Sequence, residues 1–247
     1  MSEVRITMNV ALIIAGGVGA RTGQDIPKQF VNINDKPILI YTMEVFQKHP
    51  KIDAIEVVCL DGWHDILKAY AKQYGITKLK WVVNGGKTGQ ESIRNGVFQL
   101  KGICASDDII IVHDGIRPML EEEVLSDVIV TCQRCGNAVT SLPYNEQIFK
   151  IDEKDEQKTH AYIKRETLRR VMTPQAYRFD KLYWAYEKAF REKIGIYGSS
   201  YTNTMMIDLG ETLYFAKGSD RNIKITTAED FELFKALLNT KRNAWMK

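Results

Sequence analysis

Three short runs in the first half of the chain hold almost nothing but apolar residues: VALIIA at Val10–Ala15, AIEVVCL at Ala54–Leu60 and DIIIV at Asp108–Val112. Runs this short and this apolar predict strands buried on both faces. Between and after them the apolar spacing turns helical. Helices are predicted over Lys36–Gln47 (with Pro37 tolerated in the first turn), Trp63–Tyr74, Gln90–Gln99 and Glu121–Arg134, and further strands over Leu79–Val83 and Ala138–Leu142. Strands alternating with helices specify an α/β fold, a mostly parallel twisted sheet with helices on both faces. Ligands of such sheets sit at the carboxyl ends of the strands, which directs attention to the loops at 15–29, 84–90 and 113–118.

The pattern breaks after Pro143. Residues 144–165 alternate apolar and polar around the charged run Asp152–Lys158 and predict two extended segments and a turn projecting from the core. A two-stranded projection cannot bury both faces alone, so it is either a dimerisation arm of a homodimer or a solvated surface hairpin. Alternation resumes with a helix at Lys181–Glu192, strands at Thr212–Ala216 and Ile223–Ile225, and a helix at Ala228–Leu238. No repeat or linker interrupts the sequence, so residues 1–247 are expected to form one domain with 144–165 as its arm.

Composition narrows the partners. The net charge is +3 and Lys and Arg form no basic run, which argues against nucleic acid. The longest apolar run, Val10–Ala15, is far short of a membrane span, and the N-terminus lacks a signal-peptide core. Four cysteines, at 59, 104, 132 and 135, fit reduced thiols and a cytoplasmic location. Cys132 and Cys135 fall on a predicted helix with no second pair and no His at zinc spacing.

Four polar clusters fall at predicted strand ends. In the first, Ala15, Gly16, Gly17 and Gly19 let backbone N–H groups approach an anion, and Arg21 and Lys28 add positive charge behind the stiffening Pro27. The loop lacks the Lys-Ser/Thr ending of a P-loop, and Thr22 stands where a dinucleotide fingerprint has its third Gly. A tight turn would explain the glycines; the two cations favour phosphate. In the second, Gly85-Gly86-Lys87-Thr88-Gly89-Gln90 and Ser92 suit backbone recognition of a polar ligand edge, or a plain loop-to-helix turn. In the third, His113-Asp114-Gly115-Ile116-Arg117-Pro118, Asp114 ends an apolar strand where a Mg²⁺-holding carboxylate is common, and Arg117 could fork onto a phosphate. An Asp–Arg ion pair closing the strand end is the alternative. In the fourth, Lys224 is either solvated or aimed at an anion, and Thr227 with Asp230 resembles a capping box.

Glycine-rich donors, several cations and one strand-end carboxylate suit nucleotidyl transfer. An attacking phosphate is already largely ionised near neutral pH, so no general base is needed. The protein aligns the two phosphates and neutralises charge at the α-phosphorus, with Mg²⁺ clamping the triphosphate.

The segments AGGVGARTGQDIPKQF (15–30), GGKTGQESIRNG (85–96), VHDGIRP (112–118), TPQAYRF (173–179) and NIKITTAEDF (222–231) run in one order along the chain. In this the chain resembles the CTP-dependent cytidylyltransferases that act on 2-C-methyl-D-erythritol 4-phosphate and on D-ribitol 5-phosphate. The resemblance implies a Rossmann-like nucleotidyltransferase fold, CTP and a small phosphorylated acceptor as substrates, and an arm pairing two subunits. It implies that Arg21, Lys28 and Lys224 are catalytic, and that Ala15, Gly16, Gly17, Gly19, Gly85, Gly86, Gln90 and Ser92 bind the nucleotide. It further implies that Asp114, Arg117, Arg165, Thr173 and Thr202 hold the acceptor, with Asp114 also the metal ligand and Arg165 able to reach the partner's site. Lys87 and Gly89 stand where erythritol-type members carry Asp and Arg; Glu146-Gln147 replaces Asp-Thr, and Asn203-Thr204 an acidic pair. These departures point to the branch serving capsules and teichoic-type polymers, with ribitol 5-phosphate as the expected acceptor. A phosphorylated amino acid such as glutamine phosphate, and 2-C-methyl-D-erythritol 4-phosphate, are the alternatives. A non-catalytic nucleotide-binding protein is disfavoured by the retained Arg21, Lys28 and Asp114.

Overall fold

The computed structural model describes residues 7–17, 26–198 and 201–240, so Gly19 and Arg21 of the expected site lie outside the described residues. In chain order the first half comprises β1 (Asn9–Ala15), β2 (Asn32–Ile33), β3 (Lys36–Pro37), α1 (Ile38–Lys48), β4 (Ala54–Cys59), α2 (His64–Gln73), β5 (Leu79–Asn84), α3 (Gly89–Gln99) and β6 (Ile109–Asp114). The second half comprises α4 (Glu122–Cys135), β7 (Asn137–Pro143), β8 (Ile148–Lys150), β9 (Ala161–Ile163), β10 (Arg169–Arg178), α5 (Phe179–Glu192), α6 (Thr202–Asp208), β11 (Phe215–Lys217) and α7 (Ala228–Asn239).

Seven strands form the main sheet in the order β11-β7-β10-β6-β1-β4-β5. All neighbours run parallel except β10, which is antiparallel to both β6 and β7. β1 takes the middle because both its faces are apolar. Ala11, Ile13 and Ala15 enter the core under α1, α2 and α4, while Val10 and Leu12 enter the opposite core under α3, α5 and α6. Burying one such side chain contributes roughly 1.5–3 kcal/mol. The whole β-propensity scale spans about 1 kcal/mol, so burial decides the strand's place.

A third, smaller core forms where Ile225 and Phe234 pack with Ile33, Ile38 and Ile116. It draws the segment before α7 over the loop after β6, and the Ile225 N–H donates to the Ile116 carbonyl at 2.9 Å. Ile223–Ile225, expected as a strand, is therefore irregular backbone held by that bond and by packing. The expected strand Thr212–Ala216 is replaced by the shorter β11, and Pro37 precedes α1 as its N-cap instead of lying in its first turn. β10 and α6 were not anticipated. In β10, Pro174 offers no N–H to the ladder and the pairing with β7 shifts register between Met172 and Gln175, which hides the strand's alternation.

β8 and β9 pair with each other alone, antiparallel, away from the main sheet. Their apolar side chains are open to solvent: Phe149 is 59 % exposed and Tyr162 61 %.

Candidate active site

β1, β5 and β6 are parallel, so the loops that follow them emerge on one edge of the sheet. The first two loops touch. A Cβ on Gly16 would stand 3.1 Å from the Gly85 Cα, and one on Gly85 as close to the Gly16 Cα. Side chains here would push the loops apart. Gly86 is tighter still, since a Cβ would lie 2.3 Å from that of Glu91.

Sequence reasoning overlooked what shapes the first loop. The buried Gln29 amide donates to the carbonyls of Ala15 (2.7 Å) and Gly17 (3.0 Å). Because a trans peptide sets C=O and N–H in opposite directions, anchoring the Ala15 carbonyl turns the Gly16 N–H to the other side of the loop. Gln29 followed Pro-Lys in the sequence, and its burial was the missing signal. The second loop is braced similarly: Ser92 Oγ accepts from the Gly86 N–H and donates to the Thr88 carbonyl, both at 2.9 Å, while Thr88 caps α3. Ser92, expected to read the nucleotide, uses its hydroxyl to hold the loop.

Asp114 closes β6. Its Oδ2 accepts from Arg117 Nε at 2.9 Å and from Lys224 Nζ at 3.2 Å. Burial alone would raise its pKa, but Lys224 and Arg117 outweigh it and hold the carboxyl below its usual range. Arg117 Nη1 also donates to the Asn222 carbonyl (2.7 Å), and Asn222 Nδ2 to the Thr173 carbonyl (2.7 Å). The Asp114 N–H donates to Thr173 Oγ1 at 3.1 Å. Burial drives the neighbouring His113 down to about 4, so its ring is neutral, and Nε2 donates to the Arg117 carbonyl at 3.1 Å.

Three adjoining cavities share Asp114 and Lys224 in their walls. One of about 430 Å³ is bounded by Ala15, Gly16, Gly17, Lys28, Gly86 and Ser92. A second, about 310 Å³, reaches Gln90, Thr173, Tyr201 and Thr202. The third, about 260 Å³, adds Arg117 and Asn203. They form one cleft pivoting on an anion flanked by two cations. Gln90, expected beside the nucleotide, borders the second cavity with Thr202. Arg165 stands apart: it lies on a one-turn 3₁₀ helix at the foot of the arm, half-exposed, donating to the Asn145 carbonyl at 3.0 Å. A wider depression of about 590 Å³ against α4 is walled by Glu122, Glu123, Ser126, Asp127 and Val130, a surface that repels phosphate.

Among the described residues no group of three or more His, Cys, Asp or Glu could cage a metal. Asp114 is a carboxylate lining the cleft, with its Oδ2 already paired to Arg117 and Lys224; Mg²⁺ commonly uses one or two carboxylates and fills its remaining positions with substrate phosphates and water.

The family model described as IspD, 2-C-methyl-D-erythritol 4-phosphate cytidylyltransferase, matches residues 9–240. A ribitol-5-phosphate cytidylyltransferase from Lacticaseibacillus paracasei is 58% identical over 95% of this chain and 99% of its own. One of the same name from Streptococcus agalactiae is 34% identical over 96% and 98%. A 2-C-methyl-D-erythritol 4-phosphate cytidylyltransferase from Clostridium novyi is 32% identical over 94% and 97%. Among solved structures, 4-diphosphocytidyl-2C-methyl-D-erythritol synthase from Anaerococcus prevotii superposes with a TM-score of 0.81 at 23% identity, covering 95% of this chain and 97% of that one, which establishes the shared fold. The chain therefore belongs to the IspD family and is a nucleotidyltransferase of the cytidylyltransferase type.

Proposed function

We propose that the enzyme transfers the cytidylyl group of CTP to ribitol 5-phosphate and releases pyrophosphate. The observation that carries this is the convergence of Lys224 and Arg117 on Asp114 at the junction of the three cavities, beside the glycine loops. The larger cavity, with its glycines and Lys28, suits the triphosphate; the two smaller ones, with Arg117, Thr173 and Thr202, suit a phosphorylated polyol. An oxygen of the acceptor phosphate forms the new bond to the α-phosphorus as the bond to the β-bridging oxygen breaks, and pyrophosphate leaves with that oxygen. Lys28 and Lys224 offset charge at the reacting phosphorus, a service also assigned to Arg21 by family resemblance. Asp114 orients the two cations and would hold Mg²⁺, which supplies charge neutralisation to the triphosphate when bound.

The acceptor rests on the 58% identity to a ribitol-5-phosphate enzyme, set against 32% for an erythritol-type one. Lys87, Gly89, Asn203 and Thr204, where this chain departs from erythritol-type members, fit the same choice. Pyrophosphate release tests it, with CTP against ribitol 5-phosphate, 2-C-methyl-D-erythritol 4-phosphate, glycerol 3-phosphate and an amino-acid phosphate, and with ATP, GTP and UTP as alternative donors. Turnover confined to CTP and ribitol 5-phosphate is expected; preference for another acceptor overturns the assignment.

The exposed Phe149, Ile151 and Tyr162 of the arm support a homodimer in which Arg165 reaches the partner's cleft. Sedimentation should show a dimer that is lost when 146–160 is removed; an unchanged dimer rejects the arm's role.

A further inference from the structure

Behind the cleft, three buried polar side chains form a chain of hydrogen bonds between α3, α5 and α6. Gln90 Nε2 donates to the Gly195 carbonyl at 2.8 Å. Tyr186 Oη lies 2.9 Å from Gln90 Oε1 and 2.8 Å from Thr202 Oγ1. All three residues are at most 3 % exposed.

Proton counting fixes the direction of every bond. A carbonyl only accepts, so Gly195 holds the NH₂ end of the Gln90 amide and turns Oε1 to Tyr186. Oε1 only accepts, so the single phenolic proton of Tyr186 goes to Gln90. The contact between Tyr186 and Thr202 still needs a proton, and only Thr202 has one to give. Burial pushes the Tyr186 phenol well above its ordinary pKa, which keeps that proton in place. The hydroxyl of Thr202, which borders the cavity of about 310 Å³, is thereby left with lone pairs alone for a ligand. Thr173, on the walls of the same cavity, is the reverse. Its oxygen accepts from the Asp114 N–H, and its proton stays available beside Lys224 and Arg117.

We infer that Tyr186 is a positioning residue that sets Thr202 as a hydrogen-bond acceptor, so that Thr202 receives a hydroxyl group of the polyol while Thr173 donates to its phosphate. A phosphate dianion carries no proton and would be repelled by the lone pairs of Thr202; a sugar-alcohol hydroxyl supplies the proton that Thr202 lacks. The inference deepens the ribitol 5-phosphate reading and rests on it for the identity of the polyol, but not for the direction of the bonds.

Calorimetric titration of the CTP-loaded enzyme, kept free of divalent metal so that turnover does not mask binding, separates the two. Ribitol 5-phosphate and inorganic phosphate are titrated in parallel into the unsubstituted protein and into Thr202→Val, Thr202→Ser, Tyr186→Phe and Thr173→Val. Thr202→Val should weaken ribitol 5-phosphate about tenfold, the loss of one hydrogen bond, leave inorganic phosphate unchanged, and be rescued by Thr202→Ser. Thr173→Val should weaken inorganic phosphate. Tyr186→Phe, which frees the Thr202 proton, should weaken ribitol 5-phosphate, with inorganic phosphate and CTP affinity unchanged or phosphate slightly tighter. Weaker inorganic phosphate binding in Thr202→Val, or unaltered ribitol 5-phosphate binding in both Thr202→Val and Tyr186→Phe, overturns the inference. Failure of the unsubstituted protein to bind ribitol 5-phosphate overturns the acceptor assignment instead, and the inorganic phosphate arms still decide the direction at Thr202. Neutron diffraction supplies a direct reading: a deuteron on Thr202 pointing at Tyr186 is expected, and one pointing into the cavity refutes it.

Discussion

Two acids lie on the strands that flank β1, one partly open to the cleft and one fully buried, and they live in opposite electrical worlds. Asp114 ends β6 with a guanidinium and an ammonium on one oxygen, and is held ionised. Glu56 sits in the middle of β4, fully buried, with neither carboxylate oxygen bonded to a described group. Burial pushes it up to about 8, so near neutral pH it carries its proton. Burial by itself does not make a carboxylate functional. Asp114 has an acid's charge because the loop after β6 and the segment before α7 deliver cations to a strand end; Glu56, flanked by Leu12 and Trp81 on neighbouring strands, is reached by none among the described residues.

The contrast makes graded predictions. Asp114→Asn should lower kcat by about 10²–10³, the size of loss seen when a preorganised charge-stabilising group is removed, whereas Glu56→Gln should leave kcat within a factor of two. Equal losses in steady-state assays would erase the distinction. Lys28→Ala should cost turnover on a similar order with the fold intact by circular dichroism; near-normal turnover would remove Lys28 from the chemistry.

Stability against pH separates the acids more finely. Because Glu56 is raised in the folded state, its contribution is complete below the ordinary glutamate pKa near 4.5 and declines as pH rises toward about 8, at about 1.4 kcal/mol per pH unit. Glu56→Gln should flatten that decline in urea melts run from pH 5 to 8, and an unchanged slope would show that Glu56 ionises freely. Asp230 has the opposite sign. Burial raises its pKa, but the N–H groups of Thr226 and Thr227 and the Thr226 hydroxyl outweigh burial and lower it. Its contribution is present above the ordinary aspartate pKa and lost as pH falls through the lowered one. Asp230→Ala should cost about 1 kcal/mol near pH 7 and progressively less as the pH falls below the ordinary aspartate range; an equal loss throughout would deny the charge a part.

Much of this was open to reading in advance because local pattern and tertiary role agree. VALIIA could only be a doubly covered strand, and Thr227 and Asp230 announced a helix start that forms as a capping box. Cys132 and Cys135 lie on α4, the helix predicted for them. What stayed hidden depends on partners remote in sequence. Gln29 reads as an ordinary polar residue until its burial against the Ala15 carbonyl is known. Tyr186 reads as one more apolar helix position, since its hydroxyl partners lie 96 and 16 residues away. Lys224 could be solvated or aimed at an anion, and only the packing of Ile225 and Phe234 chose between them.

That packing sets an order of events during synthesis. The sheet strands and the glycine loops leave the ribosome before α7, and the packing of Phe234 against Ile225 joins the Ile225–Ile116 backbone bond in holding Lys224 beside Asp114. A nascent chain halted before residue 228 would own every strand of the main sheet and still face an incoming nucleotide with one ammonium group unanchored. On this geometry the final helix is a latch on a cleft whose other walls are already made.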